Sequence, residues 1–148
     1  MAARTRPRSP PRSRRARSPG KCFHLFPKIR EVDALMTPAM QDRVAECHPE
    51  GAFWAMNSRQ PLGEPKQVKS QPYAPGLALR RTLLERAGVS TDFLAAHRFR
   101  SSEAREDDFL DACACAWTAR RVLLGEAIRF PENGDTLDPK GLRMEILA

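Results

Sequence analysis

Apolar residues recur at helical spacing soon after the start of the chain. Residues 28–40 carry apolar side chains three or four positions apart, which predicts a helix that ends near Pro38. Residues 42–47 then predict a short strand, which stops before Pro49. Pro49 suits the first position of a second helix, to about residue 57, because the missing proline N–H would have no intrahelical partner there.

The middle of the chain alternates between a proline-rich stretch and two further helices. Residues 58–75 hold four prolines and predict a loop. A stripe of leucines predicts a helix over residues 75–87, and Gly88 provides its C-terminal stop. Residues 92–97 suit a short fourth helix.

Residues 106–126 form the longest helical pattern of the chain. The segment begins with acidic residues and is then apolar nearly all round, except at Arg120 and Arg121. We therefore expect a central helix that is covered on several sides. Residues 143–147 alternate between polar and apolar side chains and suit an edge strand. Together these elements predict a helix-rich α/β fold with too few strands for a complete sheet.

Charge is concentrated at the N-terminus. Residues 1–20 contain seven arginines, four prolines and no acid, whereas the rest of the chain holds 18 basic and 18 acidic side chains. We therefore expect residues 1–21 to be a disordered leader. Such a leader is either without function, or an arm that touches phosphates non-specifically, or a transit peptide, whose amphipathic helix the prolines would break. No apolar run is long enough for a transmembrane helix, so we expect no membrane partner.

The cysteines indicate a reducing compartment. Cys22, Cys47, Cys113 and Cys115 lack any secretory context, and we expect a cytoplasmic protein without disulfides. On a helix, Cys113 and Cys115 would lie about 200° apart and would not bind one metal from one face. We expect the thiols to be small packing groups.

Asp108 and Asp111 are the first candidate functional residues, because a helix places residues three apart on one face. Small and apolar residues continue that face, namely Ala112, Cys115, Ala119 and Val122. Close carboxylates repel unless a cation neutralises them, and Mg²⁺ or Mn²⁺ takes such oxygen ligands. Alternatively, acids in a first turn simply complement the helix dipole, and periodicity alone favours this interpretation.

Glu46 is the second candidate. It lies near the end of the predicted strand, where α/β proteins commonly place functional groups, although a solvent-facing strand residue fits the same pattern. His48 precedes a proline at a helix start, which favours a structural role over acid–base chemistry. Glu50 would lie in the first turn of that helix, where a carboxylate is favourable without any catalytic role.

Five stretches resemble, in the same order, the C-terminal part of a family of predicted RNase H-like nucleases, often called domain-of-unknown-function family 429. The resemblance extends over residues 22–148. Its stretches are residues 26–35, residues 44–50 followed by Phe53 and Trp54, residues 107–112, residues 116–121 and residues 141–146.

This resemblance implies an RNase H-like α/β fold with a carboxylate cluster that holds two metal ions, Mg²⁺ or Mn²⁺. One ion would activate the attacking water and the other would stabilise the leaving oxygen of a phosphodiester. Glu46 would then be the strand carboxylate, and Asp108 and Asp111 would be the helix carboxylates, acting as catalytic residues and metal ligands. Arg120 and Arg121 are expected at the surface.

The chain departs from the family pattern at its start. RNase H-like sites also use an aspartate on the first strand of an N-terminal three-stranded meander, but no acid precedes Glu31. We therefore expect an incomplete RNase H-like fold that lacks this meander, a truncated nuclease with little or no activity alone.

Three functions stay open from the sequence. The first is a metal-dependent nuclease that needs another chain to supply the missing strands and aspartate. The second is a non-catalytic interaction module that binds a partner or its own copy through an uncovered sheet or helix face. The third is a nucleic-acid-binding protein that uses the basic leader.

Overall fold

The computed structural model describes residues 20–96, 99–100, 102–133 and 136–148. Residues 1–19 of the expected leader lie outside this part. The chain divides into two compact units, Met1–Met36 and Thr37–Ala148, and each is described by itself.

The described part of the first unit is the helix α1, Gly20–Leu35, followed by Met36. The helix predicted from the apolar spacing of residues 28–40 is thus confirmed, although it begins eight residues earlier and includes Pro27. Large apolar side chains of α1 are at least half exposed, namely Phe23, Leu25, Phe26, Ile29, Val32 and Leu35.

The described residues of the second unit contain four α-helices, all of them predicted. After a short 3-10 helix, Pro38–Asp42, these are α2 (Pro49–Met56), α3 (Ala74–Arg86), α4 (Thr91–Ala96) and α5 (Glu106–Leu124). Local signals set their ends: Pro49 opens α2, and Gly88 and Gly125 have φ of 94° and 70° just beyond α3 and α5. Only glycine adopts such positive φ without a steric penalty, so both helices stop there.

The core of the second unit lies where α2, α3 and α5 pack together. Its most enclosed large side chains are Phe53, Leu84, Leu94 and Leu110. Removing an apolar side chain of this size from water stabilises the fold by about 1.5–3 kcal/mol. The rest of the core is formed by Ala52, Leu77, Leu83, Phe109 and Ala114.

α5 is covered on several sides, as expected, because it packs against both α2 and α3 and buries Phe109, but one face is exposed. The buried line runs through Asp107, Leu110, Ala114 and Thr118. On the face that continues from Asp108 and Asp111, by contrast, Ala112, Ala119 and Val122 are exposed. Because the helix is apolar nearly all round, its sequence did not distinguish these two faces.

Strands are short and form two small antiparallel sheets in the described residues. β1 (Gln67–Val68) pairs with β2 (Gln71–Pro72) through a turn at Lys69 and Ser70, whose positive φ values are those of a two-residue hairpin. β3 (Arg129–Phe130) pairs with β4 (Ile146–Leu147), so the predicted edge strand at residues 143–147 is confirmed only in its last part. The result is the expected helix-rich α/β fold with few strands.

The strand predicted at residues 42–47 is wrong. Asp42 ends the 3-10 helix, and only Cys47 forms a single parallel bridge, with Leu147. The side chain of Gln41 pairs instead with the backbone of Arg143, accepting from its N–H at 2.7 Å and donating to its carbonyl at 3.0 Å. These side-chain bonds replace the ladder that a longer strand would need.

Candidate carboxylate site

Two acidic side chains on the inner side of α5 form the centre of the site. Asp107 and Asp111 lie four residues apart, and their side chains are 5% and 20% exposed. Oδ2 of Asp107 accepts a hydrogen bond from Nε2 of Gln67 at 2.6 Å. Oδ2 of Asp111 accepts from the ammonium group of Lys66. The residue four positions further along this side is Cys115.

The loop that supplies Lys66 and Gln67 rests directly on the start of α3. A Cβ added at Gly76 would lie 1.9 Å from the carbonyl oxygen of Pro65, so only glycine admits this approach. Nη1 of Arg80 donates to the carbonyls of Glu64 at 3.1 Å and of Gly76 at 2.9 Å. Close packing and these bonds hold the loop over the two aspartates.

Arg80 also joins this loop to α2. Its side chain is 3% exposed, and its Nη2 donates to both carboxylate oxygens of Glu50 at 2.8 Å. The guanidinium group lies 5.5 Å from the centre of the Phe53 ring. A buried guanidinium is stable only when paired, and the first turn of α2 supplies the partner.

Burial has the largest effect on the carboxyl group of Asp111. Burial raises the pKa of its carboxyl group, the Lys66 ammonium opposes this effect, and the charges of Glu50 and Asp107 add to it. Oδ1 of Asp107 and Oδ1 of Asp111 are both buried and accept no hydrogen bond from any described residue. Nε of Arg105 lies 3.4 Å from Oδ1 of Asp107 and forms an ion pair with it, but not a hydrogen bond. Each aspartate is therefore already paired with one basic side chain, Asp111 with Lys66 and Asp107 with Arg105.

A groove of about 620 Å³ opens beside this cluster. Glu50, Lys66, Gln67 and Arg80 form its polar wall, and Trp54 lies on the apolar side. The remaining lining comes from the proline-rich loop, namely Pro61, Leu62, Gly63, Glu64 and Pro65.

The sequence-predicted residues have different surroundings. Of the predicted site residues Glu46, Asp108 and Asp111, the last lies beside Asp107 in the carboxylate site. Asp108 is exposed, and its Oδ2 accepts from the backbone N–H of Arg105 at 3.0 Å, so it caps α5. Glu46 is exposed in the irregular segment before α2, where its carbonyl accepts from the N–H of Leu147 at 2.8 Å.

Two neighbouring predictions concern the start of α2. His48 has the expected structural role, because its Nδ1 accepts from the N–H of Glu50 at 3.3 Å and caps the helix. Glu50 lies in the first turn as predicted, but it also pairs with Arg80, which the sequence did not indicate.

Sequence reasoning missed Asp107, Lys66, Gln67 and Arg80. One signal was available for Asp107. Asp107 lies three residues before Leu110 and Asp111 lies three residues before Ala114, so a helix places them along the line that faces the core.

Asp107 and Asp111 are the described residues that could hold a divalent cation. Mg²⁺ and Mn²⁺ are bound through one or two carboxylates, and water or substrate oxygens complete their shell. Asp107 and Asp111 supply two carboxylates with buried oxygens free of hydrogen bonds from the described residues. In the same part of the chain, no group of three or more His, Cys, Asp or Glu side chains is placed to hold a metal ion, and this includes Glu46, Asp108 and Asp111.

Cys115 extends the line beyond Asp111. Cys115 and Cys47, which lies just before α2, are both free and half-buried. Burial, then the Cys47 hydrogen bond and charge, raise the pKa of Cys115 to about 12. Burial also raises the pKa of Cys113, and the nearby charge of Arg81 opposes this. All three cysteines are half-buried, whereas buried packing groups were expected.

Two surface expectations concern Arg120 and Arg121. Arg120 is exposed, as predicted. Arg121 is half-buried and lies over the Trp117 ring, 4.7 Å from its centre.

No helix in the described part of the chain is long and apolar enough to cross a membrane. Comparison with curated proteins and with solved structures finds no match. A family model, by contrast, matches residues 2–136, a range that begins within the arginine-rich segment and ends before the similar stretch at residues 141–146. The chain therefore belongs to the family described as "Protein of unknown function (DUF429)".

Proposed function

We propose that this protein is an RNase H-like, metal-dependent phosphodiesterase acting on nucleic acid, in which Asp107 and Asp111 bind Mg²⁺ or Mn²⁺. Lys66 occupies the cation position in the free chain, so the chain alone has little activity. The observation that carries the proposal is the inward carboxylate pair: Oδ1 of each aspartate is buried and accepts no hydrogen bond from the described residues, while Lys66 from the loop pairs with Asp111.

The roles of the side chains follow from their contacts. A bound divalent ion would polarise a phosphoryl oxygen and favour deprotonation of water. Asp107 and Asp111 hold the ion, and Gln67 orients Asp107 through its hydrogen bond. Arg80 fixes the loop that presents Lys66. A cation must displace Lys66 from Asp111, which weakens binding and lowers activity.

Isothermal titration of Mn²⁺ into the full chain tests the cation site. Asp107→Asn and Asp111→Asn should each weaken binding by at least about tenfold, which corresponds to 1.4 kcal/mol. Asp108→Asn is the matched control and should leave binding unchanged. The opposite pattern, with Asp108 required and Asp107 dispensable, would overturn the assignment.

Lys66→Gln tests the competition between lysine and cation. Without the ammonium group, Mn²⁺ should bind about tenfold more tightly, since Asp111 loses its internal counter-charge. Lys69→Gln, on an exposed lysine of the same loop, is the control. Weaker or absent binding in a Lys66→Gln protein shown folded by circular dichroism would contradict the proposal.

The nuclease assignment has its own assay. Lys66→Gln protein with Mn²⁺ should cleave at least one of single-stranded, duplex and hybrid substrates, and adding Asp111→Asn should abolish the cleavage. A variant that binds Mn²⁺ but cleaves none of these would refute the nuclease assignment and leave the cation site standing.

The exposed apolar residues of α1 favour a second candidate function, an interaction module that binds a second copy of the chain. Phe26, Ile29 and Val32 are spaced by three residues and are each at least half exposed. The full chain should then dimerise in sedimentation experiments, and Ile29→Asp should shift it to monomer, whereas Arg30→Asp should not. A monomer at all concentrations would exclude this candidate.

A further inference from the structure

The groove beside the carboxylate site has an aromatic wall. Trp54, in the last turn of α2, lines the groove and is half-buried. The Phe130 ring of β3 packs against the Trp54 ring, with 5.5 Å between the ring centres and 65° between the ring planes. This edge-to-face contact holds the indole in place, while the part of the indole that lines the groove remains accessible to a ligand.

The proline-rich wall of the groove is held by bonds to its backbone. Nδ2 of Asn57 donates to the carbonyls of Gln60 at 3.0 Å and of Pro61 at 3.3 Å. Further along the wall, Nη1 of Arg80 donates to the carbonyl of Glu64. The groove is therefore formed before any ligand arrives, and its volume of about 620 Å³ is typical of small-molecule sites.

Most charges that line the groove are compensated within the protein. Arg80 pairs with Glu50, and Lys66 pairs with Asp111. Glu64 is the remaining charged residue of the lining, and its carboxylate would repel a phosphate. A neutral, flat group therefore fits this groove better than an anion does.

We propose that the groove binds one unpaired base of a single-stranded nucleic acid, stacked on Trp54. This inference rests on the proposed function, because Lys66 and Gln67 both line the groove and bond to the aspartates that would hold the cation. A phosphate at that cation would have its neighbouring base beside the groove. Stacking on an aromatic side chain accepts any base, since every base has a π face. A duplex does not fit, because its bases are already stacked and paired.

Trp54 fluorescence in the full chain tests the proposal without any divalent cation. Trp117→Phe leaves Trp54 as the only tryptophan, and a short deoxyadenosine strand is added in the presence of EDTA. The strand should quench the Trp54 emission, whereas an abasic strand with the same number of phosphates should not. The N-terminal arginines would bind the phosphates of both strands alike, so the difference reports the base. Equal quenching by the abasic strand or by the duplex form, or no quenching at all, would overturn the proposal.

Substitution of Trp54 provides a second measurement. Fluorescence anisotropy of labelled strands gives the preference of each variant for the deoxyadenosine strand over the abasic strand. Trp54→Leu should lower this preference by about tenfold, and Trp54→Phe, which keeps a ring, should retain most of it. Trp117→Phe is the matched control and should keep the preference of the unsubstituted chain. An unchanged preference in Trp54→Leu would contradict the proposal, and if circular dichroism shows that this variant fails to fold, the quenching comparison decides.

The outcome is separate from that of the cation site, because these measurements contain no divalent ion. Quenching by the deoxyadenosine strand in a chain that binds no Mn²⁺ would support the groove and refute the nuclease. Binding of Mn²⁺ without such quenching would overturn the groove and leave the cation site standing.

Discussion

Substitution of either member of the Glu50–Arg80 pair should show a marked asymmetry in stability. Glu50→Gln leaves Arg80 charged with a side chain only 3% exposed, and removing one partner of a buried pair in this way costs about 3–5 kcal/mol. Arg80→Met leaves Glu50, which is 37% exposed and regains water. Arg80→Met should therefore lower the free energy of unfolding only through the lost bonds to the carbonyls of Glu64 and Gly76, by about 1–3 kcal/mol in total.

Urea unfolding followed by circular dichroism measures both values, provided that the m-values stay equal. The double variant is the decisive control, because removing both charges leaves no unpaired guanidinium. The double variant should be more stable than Glu50→Gln alone. The effects of the two substitutions on the free energy of unfolding are then strongly coupled rather than additive. Equal costs for the two single variants, or simple addition in the double variant, would refute the view that burial of Arg80 makes the pair important.

Three further predictions concern the surroundings of the site. Gly76→Ala should destabilise by about 3 kcal/mol in urea unfolding because its Cβ would strike the Pro65 carbonyl, whereas Gly63→Ala, with open space around it, should not. Asp108→Ala should cost about 1 kcal/mol in the same assay, through loss of the α5 cap. Burial raises the pKa of Asp111 in the folded protein above the ordinary value of 3.8. Protonation of Asp111 therefore stabilises the folded state fully below pH 3.8, and this stabilisation is lost as the pH rises through the raised pKa. The stability of the unsubstituted protein relative to Asp111→Asn should therefore fall over that window, and constant relative stability would disprove it.

The helices were predictable because their signals are local. Pro49 opens α2, and Gly88 and Gly125 end α3 and α5, and each residue acts through its own backbone conformation. The strand at residues 42–47 failed because strand formation needs a partner, and the fold offers only the bridge to Leu147.

The site was less predictable because it depends on contacts between distant segments. Asp111 was found from its spacing, but Asp107 was missed because α5 is too uniformly apolar for its buried face to be recognised. Lys66 lies in a proline-rich loop without periodicity. Arg80 is one of two adjacent arginines on α3, and only the fold reveals that its side chain is buried.

Two motions expose Asp111, and the bonds of Arg80 slow only one of them. The guanidinium joins α2, the loop at Glu64 and the start of α3, so opening the loop breaks the bond from Nη1 of Arg80 to the Glu64 carbonyl and separates the close contact at Gly76. Such an opening is a local unfolding event and is slower than side-chain rotation. The Lys66 side chain, by contrast, is 28% exposed and rotates on its own within about nanoseconds. Entry and exit of a cation at Asp111 should therefore follow fast rotamer exchange, while the backbone around the site remains protected from hydrogen exchange.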